Sequence, residues 1–122
     1  MATIKSYSDL RQSKKLAKIL PLESADMQWF LEEDYGIVQI KEELQDWGGD
    51  CTIPCWSLSS LLGVLPEING VALKIEKVKA EDGYDGYYYP IEYEGIVLIP
   101  YPKNPVDACY EMIIRLHELN LL

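Results

Sequence analysis

Between positions 10 and 20 the apolar residues recur at helical spacing, with Leu10, Ala17 and Leu20 near one face and Leu16 and Ile19 widening it. Ser6 or Ser8 precedes this run as a candidate N-cap, and Pro21 ends it because proline cannot continue an intrahelical hydrogen bond. The following segment, SADMQWFLEEDYGIVQI, reads as two short strands over 27–31 and 37–40, joined through the turn-prone Glu33-Asp34-Tyr35-Gly36. KEELQDWGGD allows a short helical turn over 41–47, which Gly48-Gly49 breaks.

Ser57 then stands as N-cap to a second helix in which Leu58, Leu61, Leu62 and Leu65 fall at i, i+3, i+4 and i+7 before Pro66. That spacing predicts one buried leucine face. After a turn at Asn69-Gly70, VALKIEKV alternates, Val71, Leu73 and Ile75 on one side and Lys74 and Glu76 on the other, as a half-buried antiparallel strand does. EDGYDG is a loop, and two strands follow over 87–93 and 96–99 with Glu94-Gly95 as the tight turn between them.

Asn104 as N-cap, Pro105 in the first turn and Asp107 near the positive end of the dipole open a last helix running to about Leu119. Val106, Cys109, Ile113, Leu116 and Asn120 track one face of it, broadened by Met112 and Leu119, which predicts a helix lying across the sheet. No internal repeat, low-complexity run or linker divides the chain. The expected architecture is therefore α+β: a single domain over residues 1–122, with an antiparallel sheet and about three helices packed on one face.

A length of 122 residues suits that picture, since such a chain buries enough surface to need no staple of disulfide or metal. Charge changes it more. Eleven Lys and Arg against 20 Asp and Glu leave −9, a field that repels phosphate backbones and anionic headgroups, so neither nucleic acid nor membrane is expected as a partner. The N-terminal segment lacks an apolar core of the export type, because Lys and Ser interrupt every short hydrophobic run. Three cysteines, an odd number, fit a reduced cytoplasmic setting.

The stretch DCTIPCWSLSSLL places Cys51 and Cys55 beside Trp56 just ahead of the second helix. A redox pair is ordinarily C-x-x-C at a helix start; here the spacing is C-x-x-x-C with Pro54 inside it. The position of Cys55 near a helix start favours a thiolate, whereas Trp56 and the neighbouring leucines favour an inert, buried thiol. A zinc site would need Cys51, Cys55, Cys109 and His117, yet eight helical residues hold the last two roughly 12 Å apart, too far for one ion. His117, the lone histidine, suits the negative end of its helix, and the adjacent pairs Glu32-Glu33 and Glu42-Glu43 point apart. With no P-loop, G-x-S-x-G or H-E-x-x-H pattern, neither a catalytic centre nor a cofactor is expected.

Tyrosine is the compositional anomaly: nine in all, with Tyr84, Tyr87, Tyr88, Tyr89, Tyr93 and Tyr101 close together. On a continuous strand Tyr87, Tyr89 and Tyr93 share one face and Tyr88 takes the other, giving either cross-strand packing or a contact surface of large rigid side chains with polar tips. Asp82, Asp85, Glu92 and Glu94 lie nearby and argue against a single-stranded nucleic acid stacking there.

Three segments, KKLAKILPLESADMQW, PCWSLSSLLGVLP and NPVDACYEMIIRLHELNLL, together resemble a group of small uncharacterised proteins of gut Bacteroides-type bacteria, many associated with phage or mobile elements. The resemblance covers the predicted helices and their entries, leaves out the tyrosine hairpin, and implies a cytoplasmic accessory role without site residues to carry over. The resulting expectation is a non-enzymatic acidic interaction protein that binds a protein partner, or a second copy through a strand edge, with Tyr84, Tyr87, Tyr88, Tyr89 and Tyr93 as its binding residues. The alternative is a small-molecule-binding or thiol-dependent protein with a pocket near Cys51, Cys55 and Trp56.

Overall fold

The computed structural model describes residues 5–32, 35–40, 52–81 and 86–122, with 31–32 and 35–40 described by their backbone alone. Tyr84, Cys51, the KEELQDWGGD stretch, Glu33-Asp34 and the centre of the EDGYDG loop lie outside the described residues. The architecture is α+β, and the described residues form three α-helices and strands paired antiparallel. The backbone gathers into two compact units, one of Ser6–Val64 and one of Met1–Lys5 with Leu65–Leu122. Among the described residues the strands are shared among three sheets, where the pattern predicts one.

In the first unit, helix α1 (Leu10–Leu16) begins at Asp9, whose carboxylate accepts the Gln12 N–H at 2.7 Å while the Gln12 side chain accepts the Asp9 N–H at 3.1 Å. This reciprocal cap satisfies two otherwise orphaned donors and displaces both Ser6 and Ser8 from the expected capping role. Hydrogen-bonded turns continue from α1 to Leu20, just before Pro21. Strand β1 (Met27–Glu32) pairs with β2 (Tyr35–Ile40) from Met27↔Ile40 to Glu32↔Tyr35. On its other side β1 pairs with β3 (Thr52–Cys55). The sequence pattern did not expect β3, because Pro54 argues against a strand; β3 takes an outer position in the β2-β1-β3 order, where a residue without an N–H is tolerated.

Ser57 caps helix α2 (Leu58–Val64) as expected, its hydroxyl accepting the Ser60 N–H at 3.2 Å. Leu61 is fully buried, but Leu62 is exposed, so the leucine face is narrower than the spacing implied. A helix of two turns covers only the strip running through Leu61.

In the second unit, Asn69 and Gly70 both adopt positive φ, 52° and 79°, and Ile68 and Val71 exchange backbone hydrogen bonds across them. Glu94 and Gly95 repeat the arrangement at 48° and 83° between β7 (Ile91–Tyr93) and β8 (Ile96–Ile99). Two-residue turns with both central residues left-handed match the twist of the strands they join. Burial alternates over 71–76 and slips where Glu76 and Lys77 are both exposed, and the pairing divides there: β4 (Lys74–Ile75) joins β7, whereas β5 (Val78–Lys79) joins β6 (Tyr87–Tyr88).

Helix α3 (Pro105–Glu118) has the expected Asn104 cap, which accepts the Asp107 N–H at 2.8 Å. Ala108, Met112 and Leu116 pack with Ile91 and Ile99 into a core that Leu65, Ile68, Leu73, Ile75 and Leu98 flank, so α3 does cover the β4-β7-β8 sheet. Leu119 and Asn120 are exposed and do not extend the buried face. Asn120 instead ends the helix with φ 59°, while the Leu121 N–H reaches the Leu116 carbonyl and the Asn120 N–H reaches that of His117. That pair of bonds is a Schellman cap. Asn120→Gly is expected to keep or slightly raise stability, whereas Asn120→Val should cost about 1–2 kcal/mol in urea unfolding, since a β-branched residue resists left-handed backbone.

Candidate functional site

The sequence nominates two places, the cysteine–tryptophan stretch and the tyrosine hairpin, one in each unit. At the first, Ser8 is the hub. Its hydroxyl lies 2.7 Å from the Ser13 hydroxyl, accepts the Trp56 backbone N–H at 3.1 Å and approaches Cys55 Sγ at 3.6 Å. Its carbonyl accepts from the Trp29 indole N–H at 3.2 Å and the Cys55 thiol at 3.4 Å. The Trp29 indole also reaches Ser13 Oγ, and Tyr7 stands edge-on to Trp29 with centroids 5.9 Å apart. The Trp56 indole donates to Ser24 Oγ at 2.9 Å.

Ser8 owes this position to chain pairing rather than to capping: its N–H donates to the Trp56 carbonyl, and Leu58 N–H donates to the Ser6 carbonyl. Ser6–Ser8 thus extends the pairing past β3, through the Tyr7↔Ser57 bridge. Asp26 anchors the same junction by accepting the Ser57 N–H at 2.9 Å and, on its other oxygen, the Ser57 hydroxyl. Partial burial works against the Asp26 charge, but hydrogen bonds from Ser57 and Ser60 outweigh it and hold the carboxyl below its ordinary range.

Chemically this centre is closed. Cys55 and Trp56 have no exposed surface, and among the described residues no buried side-chain N or O lacks a partner. Burial pushes the Cys55 thiol up, opposed in part by hydrogen bonds from Ser8 and Ser13, and burial pushes Cys109 up to about 12. A helix start does not offset that desolvation, because Cys55 sits at the end of β3 and not in the first turn of α2. In a Cys51→Ser background, a water-soluble thiol reagent at pH 8 is therefore expected to find no reactive thiol in the native protein and two after denaturation. Rapid labelling of the folded protein would show that Cys55 or Cys109 is accessible. Among the described residues no three His, Cys, Asp or Glu side chains are grouped to hold a metal ion.

The tyrosine hairpin has a different character. The strand expected over 87–93 breaks at Tyr89-Pro90: the Tyr89 N–H turns to the Pro102 carbonyl at 2.9 Å, and the Pro90 carbonyl accepts from Glu76. Alternation does not pass through the break, so Tyr87, Tyr89 and Tyr93 do not form one facial row. Tyr93 is half-buried and donates its hydroxyl to the Ile68 carbonyl at 2.9 Å, pinning the Asn69-Gly70 turn. Tyr88 and Tyr89 are half-buried, and Tyr88 meets Tyr101 edge to face at 5.4 Å. Tyr87 is 50% exposed with the Lys77 ammonium 4.2 Å from its ring centre.

Three contributors escaped the sequence reading. Tyr101, 75% exposed, was visible as one of the crowded tyrosines but lies between Pro100 and Pro102, outside any strand pattern. Ile96 and Val97, expected only as part of the 96–99 strand, are 63% and 50% exposed. β8 is, however, the outer strand of its ladder, and its shifted register at Ile91/Glu92 shows a bulge of the kind that discourages edge-to-edge pairing. Arg115 covers the same edge by donating to the Leu98 carbonyl. Lys79, directly opposite Tyr87 in the β5–β6 ladder, places a second cation on the Tyr87 side.

Among the described residues no helix is long and apolar enough to cross a membrane. Compared with protein-family models, curated proteins and solved structures, the chain matches none.

Proposed function

We propose that this chain is a non-enzymatic interaction protein, a cytoplasmic accessory factor of bacterial phage or mobile-element origin, whose contact surface is the tyrosine-bearing hairpin of the second unit. The observation that carries the reading is the exposure of Tyr87, Tyr101, Ile96 and Val97 on one unit of a chain with net charge −9. Large apolar and aromatic side chains left in water favour a protein contact, since burying them against a partner returns the hydrophobic term and excludes water from the tyrosine hydroxyl bonds. Tyr88 and Tyr89 support the exposed rings, and Tyr93 braces the turn behind them. The bulge and Arg115 at β8 favour contact through side-chain faces over addition of a strand from a second copy.

The small-ligand and thiol alternative near Cys51, Cys55 and Trp56 draws no support from Cys55 and Trp56, which have no exposed surface to offer, and Cys51 lies outside the described residues. To test the reading, Tyr87→Ser/Tyr101→Ser and the intact protein are compared in pull-downs from a Bacteroides-type lysate, after both are shown to fold. Loss of a saturable partner from the variant alone is expected. The same partners on both, or none on either, would remove the hairpin as the contact surface.

A further inference from the structure

We infer that the outward face of α1 is a second docking surface, built for an acidic segment of a protein partner. Arg11, Lys14 and Lys15 on α1, with Lys18 in the hydrogen-bonded turn that follows it, are spaced i, i+3, i+4 and i+7 along the chain, and all four are exposed. The opposite face carries the buried Gln12, Ser13 and Leu16, so the fold holds the cations outward. No acidic residue occurs from Leu10 to Leu22, although the whole chain has 20 acids against 11 cations. Among the described residues ion pairing is confined to Lys5 and Asp107, so none of the four is neutralised there.

This arrangement costs helix stability. Like charges three and four residues apart on a helix repel, and here every neighbouring pair of the stripe is like-charged. Lys14 and Lys15 lie in the last turn, where they complement the helix dipole, but Arg11 lies in the first turn, where a cation opposes it. Dipole compensation therefore explains only part of the stripe. A local conflict that is only partly compensated, even with Asp9 at the cap, is what a surface kept for binding would carry.

The stripe spans roughly 10 Å along the helix, close to one screening length at physiological salt. A partner must bring negative charge over about that distance and no further. DNA, RNA and anionic bilayers are negative over areas larger than this protein and would also face its acid excess, whereas an acidic protein segment confines its carboxylates to the stripe. The inference does not depend on the tyrosine surface, which belongs to the other unit.

The probe is a helical peptide carrying Glu at i, i+3, i+4 and i+7, titrated against the intact protein and against R11Q/K14Q/K15Q/K18Q. Glutamine has nearly the helix propensity of lysine and arginine, so the substitutions change charge and little else. Binding is expected to weaken at least about tenfold in the variant, and likewise in the intact protein between low and high salt, with an unchanged or higher Tm for the variant. Failure of the intact protein to bind the peptide, or tighter binding to a DNA duplex or to anionic phosphatidylserine vesicles, would overturn the inference. A lower Tm in the variant would also overturn it, by assigning the cations to the fold.

Discussion

Trp56→Ala is expected to remove about 3–5 kcal/mol of stability, the range for deleting a fully buried aromatic side chain. Trp56 has no exposed surface, and its indole N–H is committed to Ser24 Oγ, so truncation leaves a cavity and removes that hydrogen bond as well. A domain's whole stability is only about 5–15 kcal/mol, so such a loss is a large fraction of it. The check is urea unfolding followed by far-UV circular dichroism, with the slope compared so that a shifted midpoint can be read as stability. A loss below about 1 kcal/mol would mean that Trp56 is not the centre of the first unit's packing.

Ser8→Ala should cost about 1–3 kcal/mol although it deletes a single oxygen. The Ser8 hydroxyl accepts the Trp56 backbone N–H inside a site without exposure, and an alanine leaves that donor buried and unpaired. Ser13→Ala removes the other member of the 2.7 Å hydroxyl pair and an acceptor of the Trp29 indole. Because the two hydroxyls share one network, the double variant should lose less than the two single losses added together. Strict additivity in the double-mutant cycle would show that the hydroxyls act separately.

Both effects depend on contacts that sequence pattern does not encode. The terminal helix was legible because Asn104, Pro105 and Asp107 announce its start and apolar spacing gives its buried face, and the two glycine turns were legible because each places a glycine at a left-handed position. Ser8 was not legible. A serine ahead of a helical run is also a cap signal, and only the long-range pairing of Ser6–Ser8 with Trp56 and Leu58 turns it inward. The true cap, Asp9 with Gln12, did leave a trace as an acid three residues before an amide side chain, a variant of the usual capping box.

The candidate surface was legible as composition and not as geometry. Crowded tyrosines located the hairpin, but Pro90 ended the alternation, and β8, which carries the exposed Ile96 and Val97, takes an outer place in its sheet. Strand order is a tertiary outcome that one sequence's periodicity does not specify. The β5–β6 pairing likewise sets Lys79 opposite Tyr87, whose ring also carries the Lys77 ammonium, so two cations stand near this tyrosine.

The most direct test of the tyrosine surface is site-specific photo-crosslinking. A benzophenone amino acid replaces Tyr87 in one protein and Glu111, an exposed position on α3, in another. Irradiation in lysate is expected to yield a discrete adduct from position 87 that position 111 does not give and that excess unlabelled intact protein suppresses. Equal adducts from both positions, or no suppressible adduct from position 87, would contradict the assignment of the hairpin as the contact surface.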